Sequence, residues 1–558
     1  MATVSLARSS LTMVGGSVAS RVLGTVRAGL LTAIIGADAA ADAFSLANTL
    51  PNVLYMLAAG GIINAVLIPS LSRAMRLEDR GQEFTDRVIT VALSAMLVLT
   101  IVVTAGAGVF VWLLAGSRTP QFTTLAVAFS LICLPQIFFY GVFALLGQIL
   151  NARGQFGAFA WAPFVANVVA VAGLILFIVA FPDPGLTDAS GQHLPRPPEA
   201  WTAPMVWLFA GSATLAVVVQ ALWLIPALRR QGFHYRPRWG LRGVGLGGVS
   251  RLALWAFAGL AVSQLSFFVT QIALNNAAGK SQPEQLVGGP AVYGIAFTIF
   301  MLPHAFVTVS IITALFPRLS FAAADGDVER LKADFRRGMV LPMVANVPTM
   351  ALVMVTAGPV VALLNPGLSQ RSIDLAAAIL VIMILGVVPF GIDLLCYRLF
   401  FALEDGRAPL VMQVALTLVA IAAGGVTFLV APAWGVAVMA VGQTLGNTVS
   451  SGIGLVKVRR RLGRLGLSSV VDSAARIGVS AAVAGVVAWG ALTVVSPVLG
   501  SPGESGGMTV VERIVTSAMV LGLVGLVFVV VYLVAAHAAH VREVRDVADL
   551  VRRKFSRV

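Results

Sequence analysis

Two arginines stand inside the first hydrophobic segment, Arg21 and Arg27 of Ser20-Arg21-Val22-Leu23-Gly24-Thr25-Val26-Arg27. A helix entering a membrane near Ser9 rises about 1.5 Å per residue, which puts Arg21 roughly 18 Å deep in a hydrocarbon core about 30 Å thick. A guanidinium there costs about 2.5 to 3.5 kcal/mol even on a lenient insertion scale, so it should face a wet cavity or an anion. Snorkelling to the head groups is the alternative, and it is easier for Arg27, nearer the outer end. Guanidinium suits phosphate oxygens because its planar fork donates two parallel bonds.

The second span carries the densest polar set: Asp42, Asn48, Pro51, Asn52, the Gly60-Gly61 pair and Asn64. Asn48 and Asn52, four apart, share one helix face, while Pro51 removes a backbone donor and the glycines loosen the helix. A broken helix is tolerated at membrane depth only against protein or water. Interhelical packing is the competing reading of the asparagines. Asp42 lies at the outer end, where an acid can pair with cationic groups when an outer gate closes. Asp393, inside the tenth span, is a candidate for coupling to a counter-moving monovalent cation; the alternative is a partnership with Arg398.

Enzyme chemistry finds no support in these residues. The five histidines, His193, His234, His304, His537 and His540, are dispersed, and no paired acids stand beside them. His304, after Pro303, reads as a packed bundle residue. No GxxxxGK[ST] loop is present, which argues against an ATP-driven machine. Cys133 and Cys396 lie in apolar spans and read as small buried side chains, so neither a disulfide nor a metal site is expected. The chain is expected to be no enzyme and to carry no cofactor.

The elements that must position these residues follow from composition. Of 558 residues, 58% are hydrophobic and 11% charged, the signature of a polytopic helical membrane protein. Fourteen runs are long enough to cross, at about 9–36, 42–72, 88–115, 121–150, 157–181, 203–228, 251–275, 289–316, 338–364, 372–401, 408–431, 433–456, 475–497 and 511–540. Alternate loops test that number. With both termini in the cytoplasm, inner segments hold 31 Lys and Arg and outer segments five. The net charge of +14 therefore sets orientation and calls for no nucleic acid. The first helix, with Gly15, Gly16, Gly24 and its arginines, does not read as a cleavable signal.

An internal repeat sets the architecture. Val66-Leu67-Ile68-Pro69-Ser70-Leu71-Ser72 is echoed 248 positions later by Ala314-Leu315-Phe316-Pro317-Arg318-Leu319-Ser320. Pro135 and the Arg153-Gly154 turn are echoed by Pro389 and the Asp405-Gly406 turn. These imply two six-helix lobes in parallel repeat, with substrate expected between them. The expected division is a first lobe over 1–228, a basic, aromatic cytoplasmic linker over 229–250 whose composition suits an anionic lipid surface but whose favoured reading is a purely structural connector, a second lobe over 251–456, two further spans over 457–540 and a basic tail over 541–558.

Ser20-Arg21-Val22-Leu23-Gly24 with Val26-Arg27, Asp42-Ala43-Phe44, Leu50-Pro51-Asn52, Ala65-Val66-Leu67-Ile68-Pro69 and Leu150-Asn151-Ala152-Arg153-Gly154 together resemble the MurJ/MviN family. That family comprises lipid II flippases of the multidrug, oligosaccharidyl-lipid and polysaccharide exporter superfamily, and the resemblance runs over nearly the whole chain. It implies fourteen spans in the bacterial cytoplasmic membrane. Its implied cargo is lipid II, undecaprenyl-pyrophosphate-linked disaccharide pentapeptide, moved from inner to outer leaflet for the cell wall and cell shape. Cell-wall synthesis or division proteins are the implied protein partners, beside membrane lipids. By motif position, Arg21 and Arg27 resemble the cavity arginines that meet pyrophosphate, Asp42 the outer-gate acid, and Asn52 the polar residue after the proline; Asn48 joins the expected substrate-binding set because it shares the face of Asn52. Two departures stand out: Leu54-Tyr55-Met56 and Ala58-Ala59-Gly60 replace a charged run after Pro-Asn, and Thr298 stands where a further cavity arginine is expected.

A cationic groove open sideways to lipid would let the head cross while its tail stays in hydrocarbon. With the interior negative, outward movement of an anion is favourable by about 2.3 kcal/mol per charge per 100 mV. The alternative function is a cation-coupled exporter of another lipid-linked oligosaccharide, or of drugs, although a drug/cation antiporter should favour acids and aromatics over paired arginines.

Overall fold

The computed structural model describes residues 2–57, 82–153, 155–182, 185, 195–233, 235–240, 251–280, 288–499 and 510–541. The Val66–Ser72 motif, Gly60-Gly61, Asn64, Gly154, His193, His234, 241–250 and the basic tail beyond Val541 lie outside them. Two compact units result. The first comprises Met1–Gln264 with Ala278–Lys280 and Gly289–Ala291; the second comprises Leu265–Ala277, Ser281–Gly288 and Val292–Val558.

The first unit contains α1 (Ala2–Ile35), α2 (Ala39–Tyr55), α3 (Gln82–Ala105), α4 (Ala107–Ala115), α5 (Pro120–Cys133), α6 (Gln136–Ala152), α7 (Phe156–Ala180), α8 (Ala203–Leu222) and α9 (Leu224–Arg230). Small residues bring α1 against α7: a Cβ on Gly16 would lie 2.9 Å from the Ala160 carbonyl oxygen, and one on Gly24 would lie 3.5 Å from Asn167 Nδ2. An aromatic cluster fixes α2. Phe44 meets Phe129 and Phe209 edge-on at 5.5 and 4.8 Å, and Trp201 packs on Phe129, Phe177 and Phe209. Each such pair adds roughly 0.5 to 1.5 kcal/mol beyond burial.

Helix α10 (Arg251–Gly279) is shared between the units. The second unit continues with α11 (Pro290–Pro303), a π-helical turn His304–Thr308, α12 (Val309–Ala324), α13 (Val328–Leu364), α14 (Gln370–Ile384), α15 (Val387–Ala402), α16 (Arg407–Thr427), α17 (Gly435–Leu462), α18 (Ser468–Leu499) and α19 (Val510–Ala538). The last two pack on each other through Ile477, Ala481, Ala484, Val520, Val524 and Phe528, with Val344 and Ala351 of α13 alongside. Arg513 donates to the carbonyls of Pro366 and Leu368, tying the start of α19 to the loop after α13.

The repeat is visible in hydrogen bonds. Thr119 caps α5 through its side chain and Ser369, 250 positions later, caps α14. Each of these helices is then broken, at Leu134-Pro135 and at Leu385-Gly386, the second with a 47° bend. A break frees carbonyls that need partners. Thr214 Oγ donates to the Ile132 carbonyl at 2.8 Å, and Thr444 Oγ to the Ile382 carbonyl at 3.0 Å. The turns that follow match as well: Gln155 N donates to Leu150 O, and Asp405 N to Phe400 O.

Among the described residues, eleven helices are long and apolar enough to cross a membrane, or twelve with the bent pair α14 and α15. Two of the expected fourteen fall short of that measure. Helix α2 is described only to the π-helical residues Met56 and Leu57, and α17 carries Gln443, Thr444, Asn447, Ser450 and a basic end.

Part of the linker is packed on protein. Phe233 is buried in the first unit's core, and Arg153 stacks on it at 5.0 Å while donating to Gln231 O. The Arg236 amide donates to Asp86 and the Arg238 amide to Thr90 Oγ, strapping the segment along α3. Tyr235 and Trp239 remain exposed.

Candidate functional site

Arg27 projects from α1 toward α7, where its Nη1 donates to Asn167 Oδ1 at 3.2 Å. The same amide donates from Nδ2 to Ser20 O at 3.0 Å and to Ser20 Oγ at 3.3 Å. The amide accepts from the guanidinium through its oxygen while donating to a carbonyl through its nitrogen, and it carries no charge. Asn167 thereby fixes the angle of Arg27 without neutralising it, and four of the five guanidinium N–H groups stay available to an anion. Arg21 lies six residues earlier, about 9 Å along the axis, and is exposed.

A second polar group stands beside Arg27, whose charge is within electrostatic reach of the Tyr140 phenol. Tyr140 OH donates to Gln136 Oε1 at 3.2 Å, and Gln136 Nε2 donates to Thr214 Oγ at 3.0 Å and to Asn48 Oδ1 at 3.4 Å. The Tyr55 and Tyr140 rings lie 6.0 Å apart. Asn52 sits one turn beyond Asn48 on the same α2 face, half-buried. Arg27, Asn48 and Asn52 are thus brought to neighbouring elements of one unit.

Asp42 is placed elsewhere. It is 2% exposed and forms an ion pair with Arg118, itself 8% exposed, while the Ala291 amide donates to its Oδ1 at 2.7 Å. Its cationic partner is therefore a loop residue, not Arg21 or Arg27. Glycine at 289 is required by space, because a Cβ there would coincide with the Asp42 carboxylate. Arg118 also stacks on Phe122 at 4.7 Å.

In the second unit, Asp393 is buried and accepts from Ser450 Oγ. Arg398, its sequence-based alternative partner, lies instead over the Phe316 ring at 5.2 Å. His304 is packed as expected, stacked on Phe390 with centroids 4.0 Å apart. Thr298 is exposed and donates to its own helix, at Gly294 O. Cys133 and Cys396 are free and buried.

Residues 31–502 match the family model described as lipid II flippase MurJ. The chain belongs to the MurJ family. Similar to it are the probable lipid II flippase MurJ of Haemophilus influenzae, 25% identical over 57% of this chain and 60% of that relative, and that of Rhizobium meliloti, 27% identical over 73% and 72%. The lipid II flippase MurJ of Burkholderia cenocepacia is 26% identical over 75% and 77%. The chain thus spans under two thirds of the Haemophilus MurJ and about three quarters of the other two. Among solved structures, a lipid II flippase MurJ in an inward closed conformation matches with a TM-score of 0.64, 15% identity and coverage of 92% of this chain and 98% of that one. An inward-facing multidrug resistance MATE transporter of the MOP superfamily matches with a TM-score of 0.56, 20% identity and coverage of 77% and 95%. At such identities the likeness to the MurJ and MATE structures is one of fold.

Four residues that contact the expected site residues escape a reading by sequence: Asn167, Arg118, Gln136 and Tyr140. Asn167 was the easiest to find, as the one amide and the one strongly polar side chain in Phe156–Ala180. Gln136 directly follows the Pro135 break, a position where unpaired backbone attracts polar side chains.

Proposed function

We propose that this chain is a transporter that moves lipid II, the undecaprenyl-pyrophosphate-linked peptidoglycan precursor, from the inner to the outer leaflet of the bacterial cytoplasmic membrane. Membership of the MurJ family supports the cargo, and the Arg27–Asn167 contact supports the chemistry: a guanidinium aimed by a neutral amide keeps its charge for pyrophosphate. Arg21 supplies a second cation along α1, and Asn48 and Asn52 supply neutral contacts. Asp42, paired with Arg118 and the Ala291 amide, acts as the outer latch. Alternating opening inward and outward carries the head, with the membrane potential favouring its outward step.

Asp393 is the candidate for coupling the empty carrier's return to a monovalent cation. Its support is that, among the described residues, no basic side chain pairs with it: Ser450 is the bonded neighbour and Arg398 is turned to Phe316. A carboxylate without a fixed cation is the group that can take one up.

The test is reconstitution of the full chain into liposomes holding fluorescent lipid II, with accessible label measured after a potential is imposed. Potential-dependent loss of protected label supports the proposal, and a rate equal to that of protein-free liposomes contradicts it.

A further inference from the structure

Helix α2 presents Asn48, Asn52 and Tyr55 at spacings of four and three residues, which places them on one face. All three are half-buried. Asn48 uses only its carbonyl oxygen, accepting from Gln136, and no hydrogen bond involves its Nδ2, the Asn52 amide or the Tyr55 hydroxyl among the described residues. The opposing groups on α6 are fixed: Tyr140 is bonded to Gln136, whose amide is bonded to Thr214. An open row of amide and phenol groups therefore faces a rigid phenol, with the Tyr55 and Tyr140 rings inclined at 41°.

The chemistry of that row differs from that of the arginines. It carries no charge and offers amide donors and acceptors, a free hydroxyl and two aromatic faces. Such a set suits a pyranose ring, whose hydroxyls and N-acetyl group need hydrogen bonds in pairs and whose C–H face packs on aromatic rings. From Asn48 to Tyr55 the face runs about 10 Å, comparable with two linked sugars. Its position beside Arg27 matters too, because in a sugar pyrophosphate the first ring is bonded directly to the phosphate.

We infer that Asn48, Asn52, Tyr55 and Tyr140 form a subsite for the N-acetylated sugars of the head group, distinct in chemistry from the arginine site for pyrophosphate. This inference rests on the reading of the chain as a carrier of a lipid-linked sugar pyrophosphate. It also accounts for the neutral Leu54-Tyr55-Met56 segment: selectivity at this end of α2 comes from neutral groups instead of added charge.

Binding of two ligands to the full-length protein in nanodiscs tests it: lipid II, and undecaprenyl pyrophosphate, which has the same anion and tail without sugar. Tyr55→Leu/Tyr140→Leu is expected to lower lipid II affinity by about tenfold or more while leaving undecaprenyl pyrophosphate within about twofold. Asn52→Ala, which removes a side chain with no bond in the fold, should show the same selectivity in smaller degree, and Arg27→Ala should weaken both ligands. If neither the double variant nor Asn52→Ala discriminates between the ligands, the sugar subsite is overturned and the carrier reading survives. If the parent protein binds neither ligand, the carrier reading fails and the subsite with it.

Discussion

Removing Arg118 should open the region around Asp42. Both partners are almost fully enclosed, with side-chain exposures of 8% and 2%, so the usual discount for solvent screening does not apply. Arg118→Ala leaves the Asp42 carboxylate with the Ala291 amide as its hydrogen-bond donor among the described residues. Stranding a buried charge in this way costs about 3 to 5 kcal/mol. That penalty is relieved when the carboxylate reaches water, so the balance between enclosed and hydrated forms should move by roughly 150- to 5,000-fold. Ala41→Cys is a suitable reporter, since Ala41 is buried beside Asp42 and both native cysteines are buried and free. Its rate of reaction with a membrane-impermeant thiol reagent should rise steeply in Arg118→Ala. Removing both partners strands no charge, so Asp42→Ala/Arg118→Ala should react more slowly than Arg118→Ala alone. Parental reactivity in Arg118→Ala, or a double variant as reactive as the single, would refute the reasoning.

Three other perturbations separate positioning, coupling and stability. Asn167→Asp keeps an acceptor for Arg27 but neutralises it, so lipid II binding should fall further than in Asn167→Ala; a purely structural role would order the two variants the other way. Asp393→Asn should abolish any dependence of transport on the cation gradient while leaving thermal unfolding near the parental midpoint, because the amide can still accept from Ser450 and no fixed cation is stranded. Thr214→Val leaves the Ile132 carbonyl at the α5–α6 break without its hydroxyl donor, and should destabilise the protein by about 1 to 3 kcal/mol in detergent unfolding, as should Thr444→Val at Ile382.

What the sequence made legible follows the physics of each feature. Apolar length, loop charge and the Pro135 and Pro389 echoes are properties of the chain itself, and each unit has a broken helix near its echoed proline, at Leu134-Pro135 and at Leu385-Gly386. Arg27 and Asp42 were conspicuous because a charge in an apolar run has few tolerable surroundings. Their partners were not, since Arg118 lies 76 positions from Asp42 and Asn167 lies 140 from Arg27, and one sequence contains no distance between helices. The packing of the linker was hidden for a related reason. Its basic and aromatic residues suit a lipid surface equally well, and only the buried Phe233 and the bonds to Asp86 and Thr90 show that it packs on α3. Helix α17 was assigned correctly as a helix, yet its Gln443, Thr444 and Asn447 make it more polar than its neighbours because one of them caps the break at Ile382.

The central claim is that a neutral amide aims a cationic side chain of α1 at a lipid-linked pyrophosphate. It is met most directly by measuring outer-leaflet exposure of lipid II in cells whose own flippase has been shut off, with this chain and its Arg27→Ala variant at matched membrane abundance. The account predicts exposure restored by the parent and lost in the variant. Equal restoration by both, or none by a well-inserted parent, would contradict it.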